Sequence, residues 1–196
     1  MTVNMQQLRN AINQMIGITD DEFEKFVADS EVKIFKKQEY LNQPPNVPNH
    51  IYFINNGLLR LSIIDLNGDE HTTHFALENQ FIADYSNFIM QTTSIYHIQA
   101  LELSECVVIP RNSIEWGYKY LTQGEKLGRM IAEYYFMFLE EKIKTLYIVT
   151  PKDRYDNLGK QFYNIHNRVP QHLIASFLGI SPIHLSQLKK ADSQKV

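Results

Sequence analysis

The chain has 196 residues, 44% hydrophobic and 21% charged, enough for one good core or one core with a small appendage. Its single cysteine, Cys106, excludes an internal disulfide framework and any cysteine-rich zinc or iron–sulfur site built by this chain alone. The formal charge of −3 is uneven: residues 151–196 carry seven Lys/Arg against three Asp, while residues 1–150 carry twelve basic and nineteen acidic groups. A basic tail on an acidic body fits a polyanion-binding module joined to a sensing or assembly domain.

Residues 5–29 read as short helices. Thr19 stands three residues before Glu22, ahead of Phe23, Phe26 and Val27, which is the spacing of a capping box. No apolar run reaches the length of a membrane span, and the start MTVNMQQLRN lacks the order of a signal peptide, so the expected compartment is the cytoplasm.

From about 31 to 110 the pattern changes to strands and turns. Asn55-Asn56-Gly57 and Asn67-Gly68-Asp69 punctuate IYFINNGLLRLSIIDLNGDEHTTHFAL, and Gly and Asn tolerate the positive φ that hairpins need. YHIQALELSECVVIP adds more strand before Pro110. A compact antiparallel roll or barrel is predicted.

A helical pattern follows over 113–149. Leu127, Ile131, Tyr134 and Phe138 keep 4-3-4 spacing, and Leu139, Ile143 and Leu146 continue one register over. A helix from 124 to 148 would span roughly 36 Å at the standard rise. Met130, Tyr135, Phe136 and Met137 widen its apolar coverage beyond what one neighbouring barrel requires, so a partner helix from a second copy is expected. Thr150-Pro151-Lys152-Asp153 then has the composition of a new helix start: a capping threonine, proline in the first turn, an acid near the positive end.

The closing stretch, RVPQHLIASFLGISPIHLSQLKK, fits a helix-turn-helix. With Gln171 as the first position, Ala175 is the small residue that lets two helices approach. Gly179 is the turn residue, and Ile174, Leu178, Ile180, Leu185 and Leu188 supply the shared core. Pro170 opens the first helix, and Ser181-Pro182 cap and open the second. Its second helix would present Ser181, Ile183, His184 and Gln187 to a major groove, with Lys189 and Lys190 near phosphates; Arg168, Gln171 and His172 would meet the backbone. That helix has no arginine, so the strongest guanine contact is missing.

Taken in order, these residues resemble the cyclic-AMP receptor protein / FNR (CRP/FNR) family of transcription regulators nearly end to end. Beyond the helix-turn-helix, the likeness rests on the Gly57-to-Ala76 hairpins, on Ala100-Leu101-Glu102-Leu103-Ser104-Glu105 and on Val108-Ile109-Pro110-Arg111. It implies an α+β fold: an N-terminal cyclic-nucleotide-binding-like antiparallel β-roll (1–115), a long dimerisation helix (116–149) and a C-terminal helix-turn-helix domain (150–196). It implies a homodimer on a two-fold symmetric double-stranded DNA site.

The nucleotide cassette departs from the family. Phe-Phe-Gly-Glu-Leu becomes Phe81-Ile82-Ala83-Asp84-Tyr85, and Arg-Ser-Ala becomes Ser94-Ile95-Tyr96. Without the arginine a cyclic phosphate would lack its ion pair, which costs several kcal/mol in a closed pocket. No response to cyclic AMP is expected. Ala83, Asp84, Tyr85, Ser94, Ile95 and Tyr134 are the candidate pocket residues for another small-molecule effector.

Rival chemistry is thin. His71 and His74 lie three apart, so on a regular strand they face opposite ways and cannot share a metal. His74, His97 and Cys106 have no haem motif around them, and neither a nucleophile elbow nor a glycine-rich phosphate loop occurs. No catalysis, metal or cofactor is expected. The alternative is a β-roll that senses a ligand or partner and whose helix-turn-helix no longer binds DNA.

Overall fold

The computed structural model describes residues 5–193. Helices α1 (Gln6–Met15) and α2 (Asp20–Phe26) precede strands β1 (Glu31–Phe35), β2 (Tyr40–Asn42), β3 (His50–Asn56), β4 (Leu59–Ile64), β5 (Glu70–Ala76) and β6 (Phe81–Ile82). Helix α3 (Tyr85–Met90) leads to β7 (Tyr96–Ala100) and β8 (Ser104–Pro110). Six helices close the chain: α4 (Arg111–Tyr120), α5 (Gly124–Ile148), α6 (Pro151–Gln161), α7 (Ile165–Arg168), α8 (Gln171–Leu178) and α9 (Pro182–Ser193).

The strands form two antiparallel sheets, β1-β8-β3-β6 and β2-β7-β4-β5. Their inner faces meet over Phe35, Tyr52, Ile54, Leu59, Ile82 and Ile98. Strand β3 is buried on both faces: Tyr52 and Ile54 point into the roll, while Phe53 packs against α1 in a second core. This explains the unbroken apolar run IYFI, since alternation disappears when neither face meets water.

The local signals for α2 and α6 are realised. Thr19 and Glu22 form the reciprocal capping box, and the Thr150 side chain accepts from the Asp153 N–H at 3.2 Å with Pro151 in the first turn. Both turn glycines adopt positive φ, 109° at Gly57 and 88° at Gly68. Gly57 has a second constraint, because a Cβ there would lie 2.3 Å from Ser104 Oγ.

Helix α5 matches the predicted span. Its inward face, however, runs Leu127, Ile131, Tyr135, Phe138, Lys142, Thr145 and Val149, and Tyr134 is turned outward. Of the expected stripe, Leu127, Ile131 and Phe138 do face inward, and only the tyrosine differs, Tyr135 standing where Tyr134 was expected. Outside, Phe136, Leu139, Ile143 and Leu146 form an exposed apolar line at 3-4-3 spacing. Helix α4 crosses the expected boundary at 115, and α5 begins at Gly124.

A third core joins the roll to the C-terminal helices, with Leu58, Phe75, Leu77 and Leu101 against Leu158, Phe162, Ile174 and Phe177. Replacing Gly57 by Ala should cost about 2 kcal/mol or more, since it adds a steric clash to an unfavourable φ. Urea unfolding checks this; a loss within about 0.5 kcal/mol, the range of neutral surface changes, would mean that the corner relaxes freely.

Candidate nucleic-acid interface

Helix α8 ends because Gly179 takes the left-handed conformation, φ 68° and ψ 36°. The Gly179 N–H then bonds the Ser176 carbonyl (3.1 Å) and the Ile180 N–H bonds that of Ala175 (3.0 Å), which satisfies orphan carbonyls as a Schellman-type end does. Ser181 starts the next helix, its Oγ accepting from the His184 N–H at 3.1 Å. Ile174, Ala175, Leu178 and Leu185 are buried between the two helices. Ile180 and Leu188, expected in the same core, are half-buried.

The outward side of α9 is uncovered. Ser181, Ile183, Gln187, Lys189 and Lys190 are exposed and His184 is half-buried; Ile183 is 73% exposed. On α8, His172 is exposed and Gln171 is half-buried, its Oε1 buried without a hydrogen-bond partner among the described residues.

Arg168 departs from the expected phosphate contact. Its side chain is 15% exposed and lies between two carboxylates of the roll, 2.7 Å from Glu78 and 2.5 Å from Glu102. The sequence could not show this, because both partners lie at least sixty residues upstream. The ion triad pins the start of the helix-turn-helix domain to the roll.

The other tether is the free edge of β5, whose unpaired backbone groups would otherwise invite another strand. Its Thr72 N–H donates to Ser176 Oγ of α8 at 2.8 Å, and that hydroxyl reaches the Glu70 carbonyl at 3.4 Å. From the other side the Lys142 ammonium of α5 donates to the Thr73 carbonyl and sits 4.1 Å from the Phe177 ring centroid. Burial brings the Lys142 pKa down to about 8. His74 is enclosed against Phe138, ring centroids 4.4 Å apart. Burial first, then the Lys142 charge, lowers its pKa to about 3.

The candidate pocket residues are not gathered in one site. Asp84 caps α3, accepting from the Asn87 side-chain amide at 3.0 and 2.8 Å. Ser94 is buried, receives a bond from Asn42 at 3.1 Å and donates to the Tyr96 carbonyl at 3.1 Å. Both polar groups are thus consumed by the roll itself. Ile95 and Tyr134 face solvent. Ala83 and Tyr85 instead line a separate apolar pocket against α4 and α5, where the Tyr85 ring stacks on Tyr135 at 6.3 Å and 11°. The strand is not regular between His71 and His74, since a bulge at Thr73 intervenes; the two part company all the same, His71 pairing with Asp65 at 2.8 Å on the surface hairpin and His74 packing against Phe138.

Residues 32–119 match the cyclic nucleotide-binding domain family. Among solved structures, FixK2 from Bradyrhizobium japonicum aligns with TM-score 0.73 at 12% identity, over 85% of each chain. A CRP/FNR-family transcriptional regulator from Eubacterium rectale aligns with TM-score 0.71 at 12% identity, over 91% of this chain and 85% of that one. The c-di-GMP-responsive global regulator CLP of Xanthomonas campestris aligns with TM-score 0.68 at 14% identity, over 90% and 93%. No curated protein matches the chain by sequence.

Two outcomes follow from this geometry. Arg168→Met should lower stability by about 2 kcal/mol, because two carboxylates lose their shared cation, while leaving the salt dependence of any DNA binding unchanged. Full stability with a salt slope reduced by about one would return Arg168 to the phosphates. His74, uncharged in the folded state, contributes stability that is complete above pH 6.5 and is lost as pH falls toward 3. Between pH 7 and 5 that loss is about 2 kcal/mol, and His74→Phe should abolish it in urea melts; an unchanged pH dependence would contradict the assignment.

Proposed function

We propose, for a chain that contains a cyclic nucleotide-binding domain and has the fold of CRP/FNR-family regulators, that it acts as a homodimeric DNA-binding transcription regulator that does not respond to cyclic AMP. The observation that carries this reading is the open outward face of α9, presented by a turn that Gly179 fixes. Ser181, Ile183, His184 and Gln187 would supply base contacts. Gln187 suits adenine, Ile183 a thymine methyl, and Lys189 and Lys190 would neutralise phosphates. Gln171 and His172 at the start of α8 would touch the backbone.

The apolar line Phe136, Leu139, Ile143 and Leu146 supports dimerisation through α5. Phe136 and Ile143 are 67% and 57% exposed, a cost that pairing with the same stripe of a second copy would relieve. Two readers would then meet half-sites about one helical turn, roughly 34 Å, apart. The internally bonded Asp84 and Ser94 support insensitivity to cyclic AMP. An effector elsewhere would act by population shift, changing how the α5 helices pair. The reading involves no catalysis. Among the described residues no helix is long and apolar enough to cross a membrane.

A sensing module that has lost DNA binding is the second reading, favoured by the absence of arginine from α9. Selection from a random duplex pool, followed by salt titration, separates the two. The regulator reading expects an enriched two-fold symmetric sequence and a steep fall of affinity with salt. Gln187→Ala should relax one position of that sequence at a cost of about 1–3 kcal/mol, and Ile143→Asp should give monomers with weakened DNA binding. No enrichment and a flat salt response would favour the sensing module.

A further inference from the structure

Where α5 meets α6 and α8, a cavity of about 70 Å³ remains. One water molecule needs roughly 10–15 Å³, and sites for larger ligands take roughly 300–1,000 Å³, so this space suits only a very small guest. Lys142 of α5, Arg154 and Asn157 of α6 and Phe177 of α8 are in its wall. The Lys142 ammonium has as partners the Thr73 carbonyl and the face of the Phe177 ring. Arg154 spends its Nη1 on the Thr145 and Val149 carbonyls, at 3.2 and 2.9 Å. Its Nε is buried without a hydrogen-bond partner among the described residues.

Two cations therefore border one small space, and among the described residues neither is paired with a carboxylate. Of the titratable groups around Lys142, His74 of β5 is neutral, Arg154 of α6 is a cation and Glu141 of α5 is exposed to solvent. Desolvated cations without an anion are costly, and a small anion between them would gain charge-assisted bonds. Lys142 can make that anion from its own amine. Burial brings its pKa down to about 8, so about a tenth of the chains carry it neutral at pH 7, and a desolvated neutral lysine is a nucleophile. We infer that Lys142 captures dissolved carbon dioxide as a carbamate in this cavity, with the Arg154 guanidinium as its counter-charge.

The Nζ lone pair attacks the carbon of carbon dioxide, one C=O π pair moves onto oxygen, and Nζ releases a proton to water. Nothing is oxidised or reduced. The carbamate N–H would go on donating to the Thr73 carbonyl. Its oxygens would accept from Arg154 Nε and from the Asn157 amide, of which only Oδ1 is engaged, by Lys160. Capture would turn the charge over the Phe177 ring from positive to negative, and attraction between α5 and α8 would become repulsion. A change of DNA affinity that follows rests on the regulator reading; the carbamate does not.

Carbamate trapping on the full chain tests the inference. Samples equilibrated with isotopically labelled bicarbonate and carbon dioxide are ethylated with triethyloxonium and mapped by mass spectrometry. Lys142 is expected to carry the labelled, ethylated carbamate. Its occupancy should rise severalfold between about pH 7 and about pH 8 at fixed dissolved carbon dioxide, since only the neutral amine reacts. Lys144, 52% exposed beside Glu140, should stay unlabelled at the lower pH. Lys142→Arg, which keeps a cation but has no amine to react, should abolish the label. Arg154→Gln should lower it about tenfold, and Arg154→Lys should restore part of it.

No label at Lys142 while the α-amine of the sample is labelled would overturn the inference. So would equal labelling of Lys142 and Lys144, or full labelling in Arg154→Gln. If a variant fails to fold, the unaltered chain still decides through the ratio of Lys142 to Lys144 and its pH profile. Duplex binding on the same samples keeps the two claims apart: a label without DNA binding removes the regulator role and leaves the carbamate, and DNA binding without a label removes only the carbamate.

Discussion

A sheet edge has to be finished somehow, and in this chain the finishing of β5 holds the molecule together. Its backbone groups at Thr72 and Thr73 are met by Ser176 from α8 and Lys142 from α5. Side chains of the same strand add to this, with His74 against Phe138 of α5, Phe75 against Phe177 of α8, and both against Phe162. One strand thereby fixes the long helix on one side and the helix-turn-helix on the other. The position of α9 relative to α5 follows from this edge together with the link at Thr150, where the Arg154 guanidinium donates to the Thr145 and Val149 carbonyls. Arg168, bridging Glu78 and Glu102, limits the remaining freedom.

The same economy explains the roll. An ordinary nucleotide site keeps polar groups unsatisfied until the ligand arrives, which costs stability while it is empty. Here Asp84 bonds Asn87, Ser94 bonds Asn42 and Tyr96, and Tyr52 donates to the Leu41 carbonyl at 2.7 Å. The roll still keeps a cavity of about 340 Å³ beside Tyr52, Ile98 and the 46–49 loop, larger than the apolar cleft behind the sheet where α4 and α5 meet over glycines.

Much of the fold was legible because it depends on short-range chemistry. The Thr19–Glu22 box, the Thr150-Pro151 start, the Gly57 and Gly68 turns and the Ala175–Gly179 spacing each need residues only a few positions apart. Long-range pairings were not legible. A basic residue ahead of a helix-turn-helix reads as a phosphate contact until Glu78 and Glu102 are brought beside it. Asp84 and Ser94 are polar residues at cassette positions, and only the fold shows that their bonds turn inward. One inward position of α5 fell on Tyr135 rather than Tyr134, where identical neighbours give periodicity nothing to choose between. The apolar cleft left no motif, since its lining is drawn from α1, α2, three strands, α3, α4 and α5. Its only sequence signal is the run of glycines at 117, 124 and 128.

Native-state hydrogen exchange on the full chain tests the edge most directly. If β5 clamps both helices into one body, the α8 amides of Leu173–Leu178 and the β5 amides of Thr72–Ala76 should open together, with protection equal to within about tenfold. Exchange of α8 at about a hundredfold or more above β5 under the same conditions would show that the helix-turn-helix moves independently of the roll and would contradict the account.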